Sequence, residues 1–349
     1  MTSSAINKPS RIVVLGSGAW GTAIALSLVA RDAQQQITLW AHDRDIAADI
    51  VAHRENKLFL PGFPLPQALR ITADDAEIAE ADIIVSVVPS AFLRSTIARL
   101  AGFIRPDQIL LSATKGIEDH TYLRMTEVIS DTIAAHASQL HQPLPAIGAL
   151  SGPSFAHEVA LGLPTAVTVA YDDPATAARI QHEFASQTLR LYTSTDIVGV
   201  ELGGALKNVI AIAAGVVNGL GLGHNSTAGL ITRGMAEITR LAVACGGHRE
   251  TLAGLSGIGD LVLTCTGSLS RNRTVGHELG KGRSLPDILA SLDGKVAEGV
   301  LTTRAALGLA RQHNVEMPIT EQMEEILVAG KDPREAIKEL MLRPGKDEM

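Results

Sequence analysis

Residues 11–21 read Arg11-Ile12-Val13-Val14-Leu15-Gly16-Ser17-Gly18-Ala19-Trp20-Gly21, and this run decides the fold. Four consecutive apolar, mostly β-branched residues mark a strand buried on both faces, as parallel strands between helical layers are. Three glycines at GxGxxG spacing follow at once, then a helical pattern from Thr22 to Ala30. In that strand–loop–helix setting the first glycine permits a tight turn. The second lets backbone approach a pyrophosphate, and the third lets the helix pack on the sheet. The pyrophosphate would rest on the N–H groups at the helix N-terminus. Gly16, Ser17, Gly18, Ala19, Trp20 and Gly21 are therefore candidate dinucleotide-binding residues; the alternative is a glycine-rich turn without a ligand.

Short apolar runs recur at residues 37–40, 82–88, 108–113 and 146–150, and residues 164–170 alternate as a strand does. Helical stretches separate them, so the first part of the chain reads as an α/β, Rossmann-type domain with a mostly parallel, doubly wound sheet. After residues 189–192 the strand signal stops. Helical periodicity takes over through residues 209–217, 235–245, 254–264, 300–313 and 321–328. The expected division is an NAD(P)-binding domain at residues 1–195 and an all-α substrate domain at residues 196–349.

Bulk composition narrows the function classes. A chain of 349 residues with 46% apolar content can fill two cores. Its net charge of −7 argues against nucleic acid or an anionic membrane as principal partner, and requires any anionic substrate to meet a local basic cluster. Two cysteines, Cys245 and Cys265, supply neither a disulfide framework nor metal-ligand spacing, which suits the cytoplasm. No signal-peptide pattern or long uncharged apolar span argues for secretion or membrane insertion. The histidines show no paired spacing that would hold a metal. The glycine-rich apolar helical half makes a homodimer reasonable.

Polar residues at special places are the candidates for chemistry. After the second strand the chain reads Ala41-His42-Asp43-Arg44. Ala41 stands where an NAD-preferring protein places an acid for the ribose 2′-hydroxyl, and His42 and Arg44 suit a 2′-phosphate, while Asp43 pulls the other way. NADP is expected to be accepted, with the preference open. Lys115 follows a strand end, where ligands of open α/β sheets bind. Ser154, in Ser151-Gly152-Pro153-Ser154, reads first as a helix N-cap. In Glu201-Leu202-Gly203-Gly204-Ala205-Leu206-Lys207-Asn208, Lys207 sits near the start of a greasy helix and leans over two glycines. Each glycine costs the helix about 1 kcal/mol relative to Ala, so the pair implies a needed notch, wide enough for a small molecule. Burial beside it would lower the amine's pKa; the plainer alternative is a lysine snorkelling at the edge of a core. Asp260 either orients Lys207, binds a substrate hydroxyl or caps a helix. Ser270-Arg271-Asn272-Arg273 offers forked guanidinium groups suited to phosphate.

Six segments then fall in one order: Gly-Ser-Gly-Ala-Trp-Gly-Thr, Ala-Thr-Lys-Gly, Ser-Gly-Pro-Ser, Glu-Leu-Gly-Gly-Ala-Leu-Lys-Asn, Gly-Asp-Leu-Val-Leu-Thr-Cys and Ser-Arg-Asn-Arg. Together they resemble the bacterial NAD(P)-dependent sn-glycerol-3-phosphate dehydrogenases over residues 11–330. That resemblance implies a Rossmann-type domain followed by a helical one. It implies the interconversion of dihydroxyacetone phosphate and sn-glycerol 3-phosphate with NAD or NADP, feeding glycerophospholipid synthesis. It makes Lys207 the catalytic general acid and base, with Lys115 and Asp260 beside it. Lys115, Gly152, Ser154, Lys207, Asp260, Ser270, Arg271 and Asn272 match substrate-contacting positions. Trp20, His42, Lys115, Ala156, Arg271, Val296 and Glu298 match positions near the cofactor. Two rival readings are a reductase of another keto acid on the same plan, and a dinucleotide-sensing protein without turnover.

Overall fold

A computed structural model describes residues 9–31, 35–140, 143–292, 297–345 and 347. The chain forms two compact units. The first comprises residues 1–114, 125–150 and 154–197, and the second residues 115–124, 151–153 and 198–349.

Among its described residues the first unit carries ten short strands. They are β1 (Arg11–Leu15), β2 (Gln36–Trp40), β3 (Glu55–Asn56), β4 (Leu60–Pro64), β5 (Arg70–Thr72), β6 (Ile83–Ser86), β7 (Ile109–Ser112), β8 (Ala146–Ser151), β9 (Thr165–Ala170) and β10 (Leu189–Ser194). Eight of them form one sheet in the order β10-β9-β8-β7-β6-β1-β2-β5. β1 pairs in parallel with both β2 and β6, so the strand order reverses at β1. Sheets of this kind bind ligands beyond the strand carboxyl ends at such a reversal, and the glycine loop leaves β1 there. β1, β2, β6 and β7 read as nearly unbroken apolar runs because helices cover both faces of the sheet. Their inward residues, with Leu28, Ile50, Ile180 and Phe184 from the helices, make the core of this unit. Asp173 and Pro174 start the helix Pro174–Phe184 as their types dictate, the Asp173 carboxylate accepting from Ala175 and Thr176 N–H. The hairpin β3–β4 and the edge strand β5 have no counterpart in the sequence reading. They are two to five residues long, and β4 carries Pro61, Gly62 and Pro64, which mask any alternation.

The second unit is helical among its described residues. Its centre is the helix Ile197–Gly219, whose residues Gly199 to Val217 are all buried. It is the one single helix among the described residues long and apolar enough to cross a membrane, and 94% of that apolar window is buried inside the protein. Around it pack Ile238 and Leu241 from Gly223–Ala244, Val275 from Arg271–Gly280, Leu309 from Glu298–Gln312 and Ile326 from Pro318–Ala329. Gly215 and Gly276 let two helix backbones touch: a Cβ on either would strike a carbonyl of the opposite helix.

Lys207 is the eleventh of the 23 residues of its helix, not a residue near its start. The helix begins at Ile197, before the Glu201 that opens the apolar motif. The segment read as one glycine-punctuated helix is divided. A short helix Arg249–Leu252 precedes a π-helical turn Leu255–Gly259, and Asp260–Thr266 resumes the α-helix. π turns inside helices often mark functional sites, and this one delivers Asp260.

Candidate active site

In the first unit the glycine loop divides its work as the spacing predicts. Gly16 has φ +111°, a left-handed conformation that favours glycine, and a Cβ there would press to 2.9 Å from the Val87 carbonyl. At Gly21 a Cβ would collide with the Gly16 carbonyl, so the helix Ala19–Arg31 packs closely only without one. Around Gly18 a Cβ would meet nothing within 4 Å, which leaves the backbone open to a ligand. The turn is tied to the sheet by Gly16 N–H donating to Trp40 O (3.0 Å) and Val87 N–H to Leu15 O (2.8 Å). Asn56, 1% exposed at the end of β3, donates its amide to Ser17 O (2.7 Å) and Thr22 Oγ1 (2.8 Å). Trp20 Nε1 is buried without a hydrogen-bond partner among the described residues, a donor that a bound group can satisfy. Open backbone, helix N-terminus and spare donor fit a dinucleotide pyrophosphate.

At the tip of β2, Ala41 is fully buried and its N–H donates to Thr72 O (2.8 Å). His42 is exposed, with Nδ1 3.2 Å from Arg99 Nη1. Asp43 caps the helix Arg44–His53, its Oδ1 accepting from Asp45 N–H (2.7 Å) and Ile46 N–H (3.1 Å). Ala156 opens the helix Ala156–Ala160 and packs with Ala23, Leu60, Phe63 and Val159. Ser154 does not cap that helix. Phe155 holds the cap position, its carbonyl accepting the first helical hydrogen bond from Val159 N–H (3.0 Å).

In the second unit four polar side chains converge in an apolar setting. Lys207 Nζ donates to Asp260 Oδ1 (2.5 Å) and to Thr264 Oγ1 (2.7 Å). Lys115 Nζ donates to Asp260 Oδ2 (2.7 Å) and to the Gly152 carbonyl (3.0 Å). One carboxylate, 1% exposed, thus joins two ammonium groups whose side chains are 8% and 17% exposed. Burial pushes Lys207 down to about 8; Asp260 pulls it up against this, and Lys115 adds a smaller push down. The amine therefore exchanges a proton near neutral pH. Cys265 close by is no rival nucleophile, because burial pushes its thiol up to about 12.

The glycine notch is not an empty slot. A Cβ on Gly203 would strike the Ser256 carbonyl, and one on Gly204 would strike Ser151 Oγ and approach the Lys115 stem at 3.6 Å. Gly203 makes room for the protein's own backbone, and Gly204 for the side chains of Ser151 and Lys115. Arg124, on the same excursion as Lys115, pairs with the buried Glu201 at 2.5 Å.

Ser270 caps the helix Arg271–Gly280, its Oγ accepting from Arg273 N–H (3.2 Å). Arg271 begins that helix, reaches solvent, and has no hydrogen-bond or ion-pair partner among the described residues; desolvation draws its pKa below the ordinary arginine value. An unpartnered guanidinium on a helix N-terminus is built for an anion. Asn272 is buried and largely committed: its amide donates to Asn208 Oδ1 (2.9 Å), and its own oxygen accepts Gly299 N–H (3.0 Å). Glu298 opens the helix Glu298–Gln312 that Gly299 continues. Val296 lies outside the described residues.

Asn208 and Thr264 stand within quoted sequence motifs but received no role from them, and Asn56 escaped the sequence reading. Thr264 stands four residues after Asp260, on one helical face, and that spacing was the available signal. Asn208 follows Lys207, and its oxygen is held by Asn272 so that its amide donors stay uncommitted. Nothing local in the sequence announces Asn56, since its partners lie 39 and 34 residues away.

A parallel sheet with a pyrophosphate-ready loop, joined in one chain to a buried lysine of lowered pKa, defines a dinucleotide-dependent oxidoreductase. The chain belongs to the NAD-dependent glycerol-3-phosphate dehydrogenase family: residues 11–177 match its N-terminal part and residues 196–338 its C-terminal part. It is 61% identical to a glycerol-3-phosphate dehydrogenase [NAD(P)+] of Acidobacterium capsulatum, over 97% of this chain and all of that protein. One from Koribacter versatilis is 55% identical over 97% and 99% of the two chains. The crystal structure of glycerol-3-phosphate dehydrogenase from Coxiella burnetii superposes with a TM-score of 0.89 at 37% identity, covering 96% of this chain and 99% of that one.

Proposed function

We propose that this protein interconverts dihydroxyacetone phosphate and sn-glycerol 3-phosphate with NADH or NADPH, with Lys207 as general acid in reduction and general base in oxidation. The observation that carries the proton assignment is Lys207 itself, buried, with a pKa of about 8 and a carboxylate to orient it. Bound NAD(P)H supplies the hydride that adds to the ketone carbon.

The chain's residues do the rest. As the carbonyl carbon gains the hydride, negative charge grows on its oxygen, and Lys207 Nζ–H passes a proton to it, leaving a neutral amine. Asp260 and Thr264 fix the direction of that amine. Lys115 adds positive charge beside it, which stabilises the developing alkoxide and disfavours a second ammonium. The phosphate takes Arg271 and the capped helix start at Ser270, with Asn208 offering its amide donors. Gly152 and Ser154 complete the substrate contacts in this assignment, with Asn272 acting through Asn208. Gly16 to Gly21, His42, Ala156, Val296 and Glu298 are assigned to the dinucleotide. The product is a backbone for glycerophospholipids, and the free cysteines suit a cytoplasmic setting.

The test is the oxidation of NADH and of NADPH followed at 340 nm with dihydroxyacetone phosphate and with a panel of non-phosphorylated 2-keto and β-keto acids. Turnover confined to the phosphorylated ketone is expected. Turnover confined to a keto acid, or cofactor binding without turnover on any ketone, overturns the assignment.

A further inference from the structure

The first unit holds a cluster at the tip of β2 that the proton chemistry does not use. Arg99, from the helix Ser90–Leu100, grips Asp75 with both edges of its fork, Nε to Oδ2 (2.7 Å) and Nη2 to Oδ1 (2.8 Å). Its guanidinium carbon sits 5.4 Å over the Trp40 ring, and Trp40 Nε1 donates to the same Asp75 (3.3 Å). The remaining edge, Nη1, meets His42 Nδ1 at 3.2 Å. A guanidinium can only donate, so this contact makes Nδ1 the acceptor and leaves the ring proton on Nε2.

We propose that Arg99 is a specificity-determining residue for the dinucleotide, one that selects the 2′-phosphate of NADPH over the bare ribose of NADH. This rests on the dinucleotide reading of the glycine loop and names what that site prefers. Three features of the tip agree. The position where a ribose-binding carboxylate is expected is the buried Ala41. Asp43, two residues further on, is turned back on its own helix as a cap and holds two backbone N–H groups. Three cationic or donating groups stand exposed there: Arg99, whose charge is shared with Asp75, the His42 Nε2–H, and Arg44, which has no hydrogen-bond or ion-pair partner among the described residues. Asp75 and Trp40 make Arg99 a fixed feature rather than a waving surface arginine, so little side-chain freedom is lost when an anion docks.

The proposal is tested by direct titration of NADPH and NADH, followed by nucleotide fluorescence, with no ketone present. Arg99→Ala should weaken NADPH binding about tenfold or more, the loss expected for one charge-assisted contact, while NADH changes far less. Arg99→Gln, which keeps length and a donor to Asp75, guards against a folding defect and should lose the same discrimination. Arg99→Lys should keep most of it. Equal losses for both nucleotides in a folded variant, or no loss for NADPH, overturn the proposal. Failure of the unaltered protein to bind either nucleotide sinks the dinucleotide reading itself and is told apart by that.

Discussion

Lys207 Nζ and the Asp260 carboxylate lie 2.5 Å apart, both buried, yet the ion pair does not hold the lysine at its ordinary pKa. Desolvation outweighs the carboxylate, and Lys115 adds a like charge on the other carboxylate oxygen. An isolated buried lysine pair would shed a proton more readily still. Asp260 therefore acts as a brake on deprotonation, holding the Lys207 pKa above where burial alone would put it.

Removing the amine should show this directly. Lys207→Ala is expected to lower kcat by on the order of 10²–10⁴, with NAD(P)H titration unchanged. In the proposed mechanism ketone reduction uses the protonated amine, so the rate of the unaltered enzyme should be full well below pH 8 and fall above it. The reverse oxidation needs the neutral amine and should rise through the same pH. Identical pH profiles in the two directions would assign the proton to another group.

Asp260→Asn keeps shape and takes away the brake. Burial and Lys115 then act on Lys207 unopposed, so the alkaline limb of the reduction profile should move to lower pH. A limb that stays in place, or moves up, would make Asp260 a structural tie only.

Arg271→Ala removes the unpartnered cation. KM for dihydroxyacetone phosphate should rise by about 10–100-fold with a smaller effect on kcat, as for a lost charge-assisted phosphate contact. Steady-state rates over a dihydroxyacetone phosphate series give both constants, and an unchanged KM would take the phosphate off Arg271.

Two glycines one turn apart predict opposite defects. Gly21→Ala drives a methyl into the Gly16 carbonyl and should destabilise the first unit by about 1–3 kcal/mol or more, seen in thermal melts. Gly18→Ala meets only open space, so the fold should hold while dinucleotide binding weakens about tenfold or more, since the methyl fills the approach. A Gly18→Ala protein that binds as tightly as the parent would mean the pyrophosphate sits elsewhere.

Much of this was legible in residue order. The GxGxxG run after an apolar strand foretold the tight turn at Gly16 and the close packing at Gly21, because those roles are local backbone geometry. Lys207, Lys115 and Asp260 were each singled out. Their convergence was not visible in spacing, since Lys115 and Asp260 are 145 residues apart. The glycines at 203 and 204 were read as space for a ligand and are filled by Ser256, Ser151 and the Lys115 stem. A sequence shows that room is needed but not what occupies it. Asp43 looked like an acid for the ribose until its cap bonds placed it; a carboxylate two residues before an N–H has both options. The N-terminal half of the helix Gly223–Ala244 also escaped notice, because His224-Asn225-Ser226-Thr227 has loop composition and little burial to mark one face.

Glu237, which shares no hydrogen bond with the Lys207 cluster among the described residues, gives the second unit its own pH signature. The carboxylate is 2% exposed and receives Ile319 N–H (2.7 Å), Thr320 N–H (3.3 Å) and Thr320 Oγ1–H (3.2 Å) at the start of the helix Pro318–Ala329. Burial nevertheless raises its pKa from 4.5 to about 7, outweighing those donors and Arg240. A folded-state pKa above the unfolded one means the folded protein holds a proton that the unfolded chain releases. The contribution is complete below about pH 4.5, declines as pH rises towards 7, and is absent above. Its slope can reach about 1.4 kcal/mol per pH unit for one proton. Glu237→Gln cannot ionise and should lack that slope, so the stability difference between parent and variant, from denaturant melts at a series of pH values, should change steadily over this window. Parallel curves for the two proteins would show Glu237 ionised throughout, with its three donors outweighing the loss of solvent.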